Sequence, residues 1–510
     1  MTALDAMLSP SRMTRVKRLQ FSEKTAYWAI ILFAIVLRFA QLDAQSLTMD
    51  EVKDLEIARG GWTAIQNSED RFPPLYHLLL GGWLKIMPWD ETGRDFSALC
   101  GVLTVAVLMQ LGAIAGGSRA GLWTGAIAAV APFMTWYSVE SRVYGLYLLL
   151  AATSLWQFTA ANEAGPRRHW SLFAAAAITG VYVHYYFGLL IACEGLLFLW
   201  GRPQGAELRR GLLAFTVIAI GCIPAWFLLQ ADLDQPWGYA KTSDFSAAAL
   251  PYTYFSYLSG YTLGPSLREL HAMPAGAAAL AAAPWAISLG SAAAVLLGLA
   301  WIAMRGKQRG DWLAWFTAFC LVPPAIIGAV SSFANFGYNA RHAVWACLPL
   351  YVLMGVGMAS GQRRSLRITA IAVLALGFAV AHFNRQTSDV HRNEDLRAAA
   401  RFIATFEETA PIFVLSGYMS KPLAVYLPEE NAPHPLPDAG VDAPSSNEAM
   451  KQASDLIRSH VRPGEVFWLV YSREFHGDPR GTMLFSLKEQ FALQPQHTFA
   501  GVQLFLGTAK

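Results

Sequence analysis

The sequence predicts an α-helical polytopic membrane protein of about eleven transmembrane helices, with outer juxtamembrane helices and a C-terminal soluble α/β domain. Three observations predict it. Of the 510 residues, 54% are hydrophobic and only 15% charged, which excludes a disordered chain and argues against a soluble enzyme of this size. Apolar runs of membrane-crossing length recur along the first three quarters of the chain. Charge is divided unevenly: residues 388–510 carry 11 Lys/Arg against 15 Asp/Glu, and the remainder carries 28 against 21. A basic, apolar body therefore precedes an acidic tail. The net charge of +3 is too small to argue for nucleic acid. The five cysteines all sit in apolar stretches and form no CxxC, so neither a thiolate metal site nor a disulfide scaffold is indicated.

A helix that crosses a bilayer needs about 20 apolar residues, within a range of about 17–25. The candidate segments are 25–42, 96–115, 121–137, 144–161, 170–186, 187–200, 211–230, 285–304, 312–333, 343–360 and 366–383. The pair within 170–200 is short, and a single long tilted span is the rival reading. Segment 73–88 opens on Pro73-Pro74 and is too short to cross, so it is expected on the outer surface.

Short loops rich in Lys and Arg stay cytoplasmic. The N-terminus holds Arg12, Arg15, Lys17, Arg18 and Lys24, which places it inside. The inner loops then fall at 116–120, 162–169, 201–210, 305–311 and 361–365, and every one is basic. No small-residue cleavage site precedes the first span, so it is expected to stay as an anchor. The domains expected are a cytoplasmic segment 1–24, a transmembrane domain 25–385 with its first outer loop at 43–95, and an extracytoplasmic α/β domain 386–510. In that last domain Asn393 is a candidate cap for a helix through Phe406. Ile412–Leu415 and Val466–Tyr471 read as short buried strands. Asn447–His460 and Thr482–Leu493 read as amphipathic helices, and 428–446 reads as a loop.

The residues able to carry chemistry lie on the outer side. Asp50-Glu51 follows the first span, where a carboxylate can act as base toward a substrate hydroxyl. The bland alternative is an ordinary first-turn acid of a helix. Asp70-Arg71 and Tyr76 close the same loop. Glu140, Arg142 and Tyr144 fall where the third span exits; a structural ion pair at a helix end is the alternative. His184-Tyr185 marks the next outer turn, where an aromatic-belt anchor would look the same. Asn339, Arg341 and His342 open the tenth span; Arg341 can clamp a phosphate bidentately or simply snorkel. Acids and cations from distant segments thus meet at one outer entrance, an arrangement suited to transfer from a lipid-phosphate donor.

These residues resemble the GT-C superfamily of integral-membrane glycosyltransferases, in particular the branch of protein O-mannosyltransferases, lipid A aminoarabinose transferases and Rhizobium-type core transferases. The resemblance rests on Asp50-Glu51, the string Arg71–Leu80, Glu140–Tyr144, His184-Tyr185-Tyr186 and Arg341-His342, and covers about residues 26–385. It implies a GT-C fold. It implies Asp50 as catalytic base, with Glu51 supporting it or binding substrate. It implies Arg341 and Arg142 as donor-phosphate ligands. Where related sequences carry His or Lys beside the Pro-Pro, Phe72 stands here, with Arg71 one residue earlier.

The expected activity is transfer of a monosaccharide from a polyprenyl-phosphate donor to an envelope glycan, lipid or protein on the outer face of a bacterial inner membrane, with inversion at the anomeric carbon. The partners are that donor, that acceptor and membrane lipid, and no nucleic acid. No cofactor is required; a divalent metal is compatible with the converging acids, but nothing in their spacing demands one. The alternative is a polytopic transporter or lipid flippase, against which stands the gathering of polar residues on one face instead of at the midplane.

Overall fold

Inside a bilayer each backbone N–H and C=O must be satisfied within its own segment, so long apolar runs become helices. The computed structural model describes residues 21–68, 73–87, 92–163, 166–233, 246–305, 310–333, 338–406, 410–437 and 446–509. Helix α1 (Phe21–Phe39) leads into an outer pair, α2 (Met49–Asn67) and α3 (Leu75–Ile86). The body continues through α4 (Arg94–Gly116), α5 (Ser118–Val130), α6 (Pro132–Ser138), α7 (Tyr144–Asn162), α8 (Arg168–Val181), α9 (Phe187–Trp200), α10 (Gly205–Gly221) and α11 (Ile223–Leu233). It ends with α12 (Ala249–Ser259), α13 (Leu267–Ala272), α14 (Ala275–Met304), α15 (Gly310–Phe333), a 3₁₀ stretch Ala340–Ala346, α16 (Cys347–Ala359) and α17 (Arg364–Thr387).

Among the described residues, six helical stretches are long and apolar enough to cross a membrane: Arg94–Gly116, Gly205–Ala231, Gly276–Met304, Trp315–Ser332, Ala340–Ala359 and Arg364–Thr387. The other five expected spans are helical, but each departs from a continuous apolar rod for a local reason. Segment 121–137 breaks at Ala131, because Pro132 cannot donate to the helix ladder. Segments 170–186 and 187–200 are two separate 14-residue helices, so the single tilted span is not formed. The helices Phe21–Phe39 and Tyr144–Asn162 are long enough but diluted by Glu23, Lys24 and Arg38 in one and by Gln157 and Asn162 in the other. Helix α3 has 12 residues, too few to cross, as the Pro-Pro opening suggested.

Two features fix the outer helices beside the body. Helix α2 kinks at Gly61 (φ 64°, ψ −149°), a conformation that L side chains rarely adopt. Gly81 of α3 lets the backbones of α2 and α3 approach, since a Cβ there would lie 2.5 Å from the Ala58 carbonyl oxygen. Arg38, fully buried, donates to the carbonyls of Ala128 (3.0 Å) and Ala129 (2.9 Å) and so satisfies the end of α5.

The C-terminal unit contains α18 (Leu396–Ile403), β1 (Ile412–Leu415), α19 (Ser420–Ala424), β2 (His434–Pro435), α20 (Ser446–His460), β3 (Val466–Ser472), α21 (Glu474–Gly477), α22 (Thr482–Gln490), β4 (Gln494–Phe499) and β5 (Val502–Thr508). The sheet order is β2-β1-β3-β5-β4. Strand β1 is parallel to β2 and β3, and β5 is antiparallel to β3 and β4. One face packs Phe413, Phe467 and Phe505 under Ile457, Met483 and Leu487. The other packs Val414, Trp468 and Val470 under Leu396, Ala399 and Ile403 of α18. The cap of α18 is Asp395 and not Asn393: the Asp395 carboxylate accepts from Ala398 N (3.1 Å), while the N–H of Asn393 donates to Gln45 Oε1 (2.9 Å). The expected loop 428–446 contains β2, and residues 438–445 lie outside the described residues.

This unit is seated on the outer loop by a series of polar contacts. Ser46 Oγ donates to Asp395 Oδ1 (3.1 Å), and Leu47 N donates to Tyr426 Oη (2.7 Å). Lys421 Nζ meets Glu56 Oε2 at 3.1 Å. Gln45 joins both parts, since its Nε2 also donates to the Arg385 carbonyl (2.9 Å).

Candidate active site

Thr48 and Glu51 form a capping box that starts α2 and fixes the direction of its first turn. Glu51 is wholly buried. Its carboxylate accepts from Arg94 Nε (2.7 Å) and Nη2 (2.8 Å), from Thr48 N (2.9 Å) and from Ser141 N (3.0 Å). Burial pushes its carboxyl up, but the bidentate Arg94 and the N–H donors outweigh this and leave it below the ordinary range. Arg94 spends its remaining N–H groups on the carbonyls of Leu42, Gln45 and Ser46. Glu51 therefore ties α2, α4 and loop 139–143 together.

Asp50, one residue earlier, faces the other way and is 51% exposed. Its Oδ2 lies 3.2 Å from Arg142 Nη1 and 3.4 Å from Arg341 Nη1. Arg142 first, against partial desolvation and with help from Arg341 and Arg473, holds the Asp50 carboxyl down at about 2. It is ionised at any physiological pH. Arg142 is only 6% exposed and also reaches Asp54 Oδ2 (3.4 Å), whose Oδ1 lies 3.0 Å from His77 Nε2. Asp54 escapes a reading by motif, whereas His77 lies in the string Arg71–Leu80. The signal for Asp54 was the i, i+4 spacing from Asp50, which puts both carboxylates on one helical face.

An aromatic wall borders this cluster. His184 stacks on Tyr147 (4.6 Å, 6°) and on Tyr186 (5.5 Å, 30°), and Tyr186 stacks on His342 (5.1 Å, 25°). Tyr144 lies beside His184 at 6.2 Å and beneath the Arg142 guanidinium at 6.0 Å. Asn339 caps the 3₁₀ stretch by accepting from Arg341 N (3.1 Å), which orients Arg341 toward Asp50. Tyr76 is buried under α2 beside His77. Tyr185 lies half-buried in the turn between α8 and α9. Asp70 and Arg71 lie outside the described residues.

Glu140 points away from Asp50. It lines a small polar pocket with Gln41, Gln45, Arg94, Arg385 and Asn393. Burial, reinforced by Glu51 and opposed by Arg385, raises its carboxyl to about 7. Arg385, 7% exposed, packs its guanidinium 4.4 Å from the Trp136 ring, and its Nη1 has no hydrogen-bond partner. Among the described residues no group of three or more His, Cys, Asp or Glu could hold a metal ion.

The fold is shared with solved membrane-protein structures that include ArnT from Cupriavidus metallidurans and the oligosaccharyltransferase AglB from Archaeoglobus fulgidus. Solved structures that carry the likeness include the following. ArnT from Cupriavidus metallidurans in the apo state is 16% identical, with a TM-score of 0.57 over 95% of this chain and 98% of that one. The same protein bound to undecaprenyl phosphate is 16% identical, with a TM-score of 0.52 over 94% and 97%. The archaeal oligosaccharyltransferase AglB from Archaeoglobus fulgidus, in complex with an inhibitory peptide and a dolichol-phosphate, is 11% identical, with a TM-score of 0.52 over 95% and 74%. No family model and no curated protein matches the sequence. At such identities the likeness is one of fold.

Proposed function

We propose that this protein is a glycosyltransferase that moves a hexosyl or pentosyl unit from a polyprenyl-phosphate donor to a hydroxyl of an envelope glycan, lipid or protein. The observation that carries the reading is Asp50: an ionised, half-exposed carboxylate flanked by two guanidinium groups from distant segments. Two of the proteins that share this fold are described with undecaprenyl phosphate and dolichol-phosphate bound. The donor phosphate binds Arg341, with Arg142 and His342 beside it. The acceptor oxygen attacks the anomeric carbon opposite the phosphate, the C–O bond to phosphate breaks, and the acceptor proton passes to Asp50. The lipid phosphate leaves with the bonding pair, and the anomeric configuration inverts.

The low carboxyl of Asp50 makes it a weak base, so proton transfer falls late, after the attacking hydroxyl has become acidic. A phosphate that draws Arg341 away from Asp50 raises its basicity, which couples donor binding to activation of the acceptor. Glu51 acts as a positioning residue through Arg94 and Ser141. His184, Tyr144, Tyr185 and Tyr186 wall the donor sugar, and Asn339 sets Arg341. Tyr76, buried beside His77, supports the helix that faces α2. In this reading the chain crosses the inner membrane eleven times, with residues 1–24 cytoplasmic and residues 386–510 periplasmic.

The test is sugar transfer by the Asp50→Asn protein in membranes. Loss of transfer in a folded protein is expected; normal envelope glycans would remove Asp50 as base. Cysteine labelling that placed Asp50 and Arg341 on opposite sides of the bilayer would defeat the reading as a whole.

A further inference from the structure

Strands β1 and β3 are adjacent and parallel, and each ends on a non-glycine residue in the left-handed region: Ser416 (φ 64°) after β1 and Arg473 (φ 49°) after β3. Ligands of α/β sheets bind in the crevice beyond the carboxyl ends of such strands. Backbone strain of this kind clusters at functional sites. The two strained residues are tied together, because Ser416 Oγ donates to the Arg473 carbonyl (3.0 Å). The Arg473 side chain is held as well: its Nε lies 3.0 Å from Oε1 of the buried Glu394. Glu394 is next to Asp395, which seats the unit on Ser46.

This end of the sheet faces the outer loops. Phe475 of α21 stacks on His271 of α13 (4.8 Å, 3°), and Lys421 pairs with Glu56 on α2. The docking packs Met49, next to Asp50, against the cluster that holds Met419 and Leu423, and so brings Arg473, still 30% exposed, to the side of the site where its charge acts on Asp50. Asp50 thus has three cations around it, and they arrive from different sides. Arg341 opens the membrane-crossing stretch Ala340–Ala359, the side from which a lipid phosphate arrives. Arg473 arrives from the sheet, on the aqueous side.

We propose that Arg473 is the acceptor-side cation of this site and that the acceptor carries an anionic group, a phosphate or a carboxylate, close to the hydroxyl that is glycosylated. This rests on the transferase reading given above. It makes the C-terminal unit a contributor to specificity, because without it the site keeps its donor-side cation and loses its acceptor-side one.

The test uses the full chain in lipid vesicles, with undecaprenyl phosphate as donor-side probe and glucose 6-phosphate, glucuronate and glucose as acceptor-side probes. Arg473→Gln is expected to weaken the charged sugars at least tenfold and to leave undecaprenyl phosphate within twofold. The better of the two charged sugars tells phosphate from carboxylate. Because Arg473→Gln leaves Glu394 buried without its partner, the double variant Glu394→Gln/Arg473→Gln is the control. It is expected to recover thermal stability and not to recover charged-sugar binding. Recovery of both would show that Arg473 only neutralises Glu394 and would overturn the proposal. So would an equal loss of undecaprenyl phosphate, equal binding of glucose, or no charged-sugar binding by the unaltered protein. Mass analysis of envelope glycans separates the two claims. An unchanged profile with Asp50→Asn removes Asp50 as base, and with it the site on which the role of Arg473 rests. A profile abolished by Asp50→Asn but intact with the double variant defeats only the role of Arg473.

Discussion

Loop 139–143 has two faces, and they use charge in opposite ways. On one, Arg142 bridges the buried Asp54 and the half-exposed Asp50, and the Asp50 carboxyl is held low. On the other, Glu140 and Arg385 line one small pocket, and the Glu140 carboxyl is raised to about 7. Between them lies Glu51, clamped by Arg94 and Ser141 N. The difference teaches that identity and burial of an acid do not settle its role. Its immediate donors do. Asp50 stays half-exposed between two guanidinium groups, Glu51 is consumed by the scaffold, and Glu140 is raised toward neutrality.

Four changes would break or sharpen this contrast. The largest effect is expected for Asp50→Asn, which should lower transfer by about 10²–10⁴-fold in a protein that still folds, as measured by turnover and thermal unfolding together. Next comes Glu51→Gln. It weakens the partner of a buried guanidinium, and breaking such a pair costs about 3–5 kcal/mol, so the loss should appear as reduced yield of folded protein and not as slow turnover of a stable one. Equal stability with lost turnover would move Glu51 into the chemistry. Third, Arg341→Ala should weaken undecaprenyl phosphate about tenfold, through loss of a charge-assisted contact. Unchanged binding would assign the phosphate to another cation.

The smallest effect concerns pH. A carboxyl raised from the ordinary range to about 7 binds more protons in the folded state than in the unfolded one, so folded stability falls as pH rises from about 4 to 7 and levels off above. Asp50, held at about 2, contributes in the opposite sense, and its contribution is lost only as pH falls from about 4 toward 2. Between pH 5 and 8 the midpoint of the unaltered protein should therefore drop relative to Glu140→Gln. Parallel curves would mean that Glu140 is already ionised or already partnered.

Much of the fold was legible because its cause is local. Apolar length and loop charge marked the helices of the body, and Pro73-Pro74 marked α3 as too short to cross. Alternation and apolar runs exposed β1 and β3 and the helices α20 and α22. Strands β4 and β5 were not legible. Gln494–Phe499 is largely exposed and polar, and it is a strand because β5 offers it an antiparallel partner. The cap of α18 was misplaced by two residues, because Asn393 and Asp395 are both good caps by type and the helix begins at Leu396, directly after Asp395. At the site, Asp50, Arg142 and Arg341 were readable from residue type and side of the membrane. Asp54, Arg385 and Arg473 were not.

The sequence by itself determined the periodic and the additive: how many residues are apolar in a row, which loops are basic, and where a helix can begin. Tertiary structure alone decided the pairings, because a Coulomb partner within 3–4 Å depends on segments hundreds of residues apart being brought together. Asp50 and Glu51 are neighbours in the chain with nearly the same chemistry. Their opposite fates follow from helix geometry, which turns successive side chains by about a quarter of a turn, one toward Arg142 and the other into the grip of Arg94.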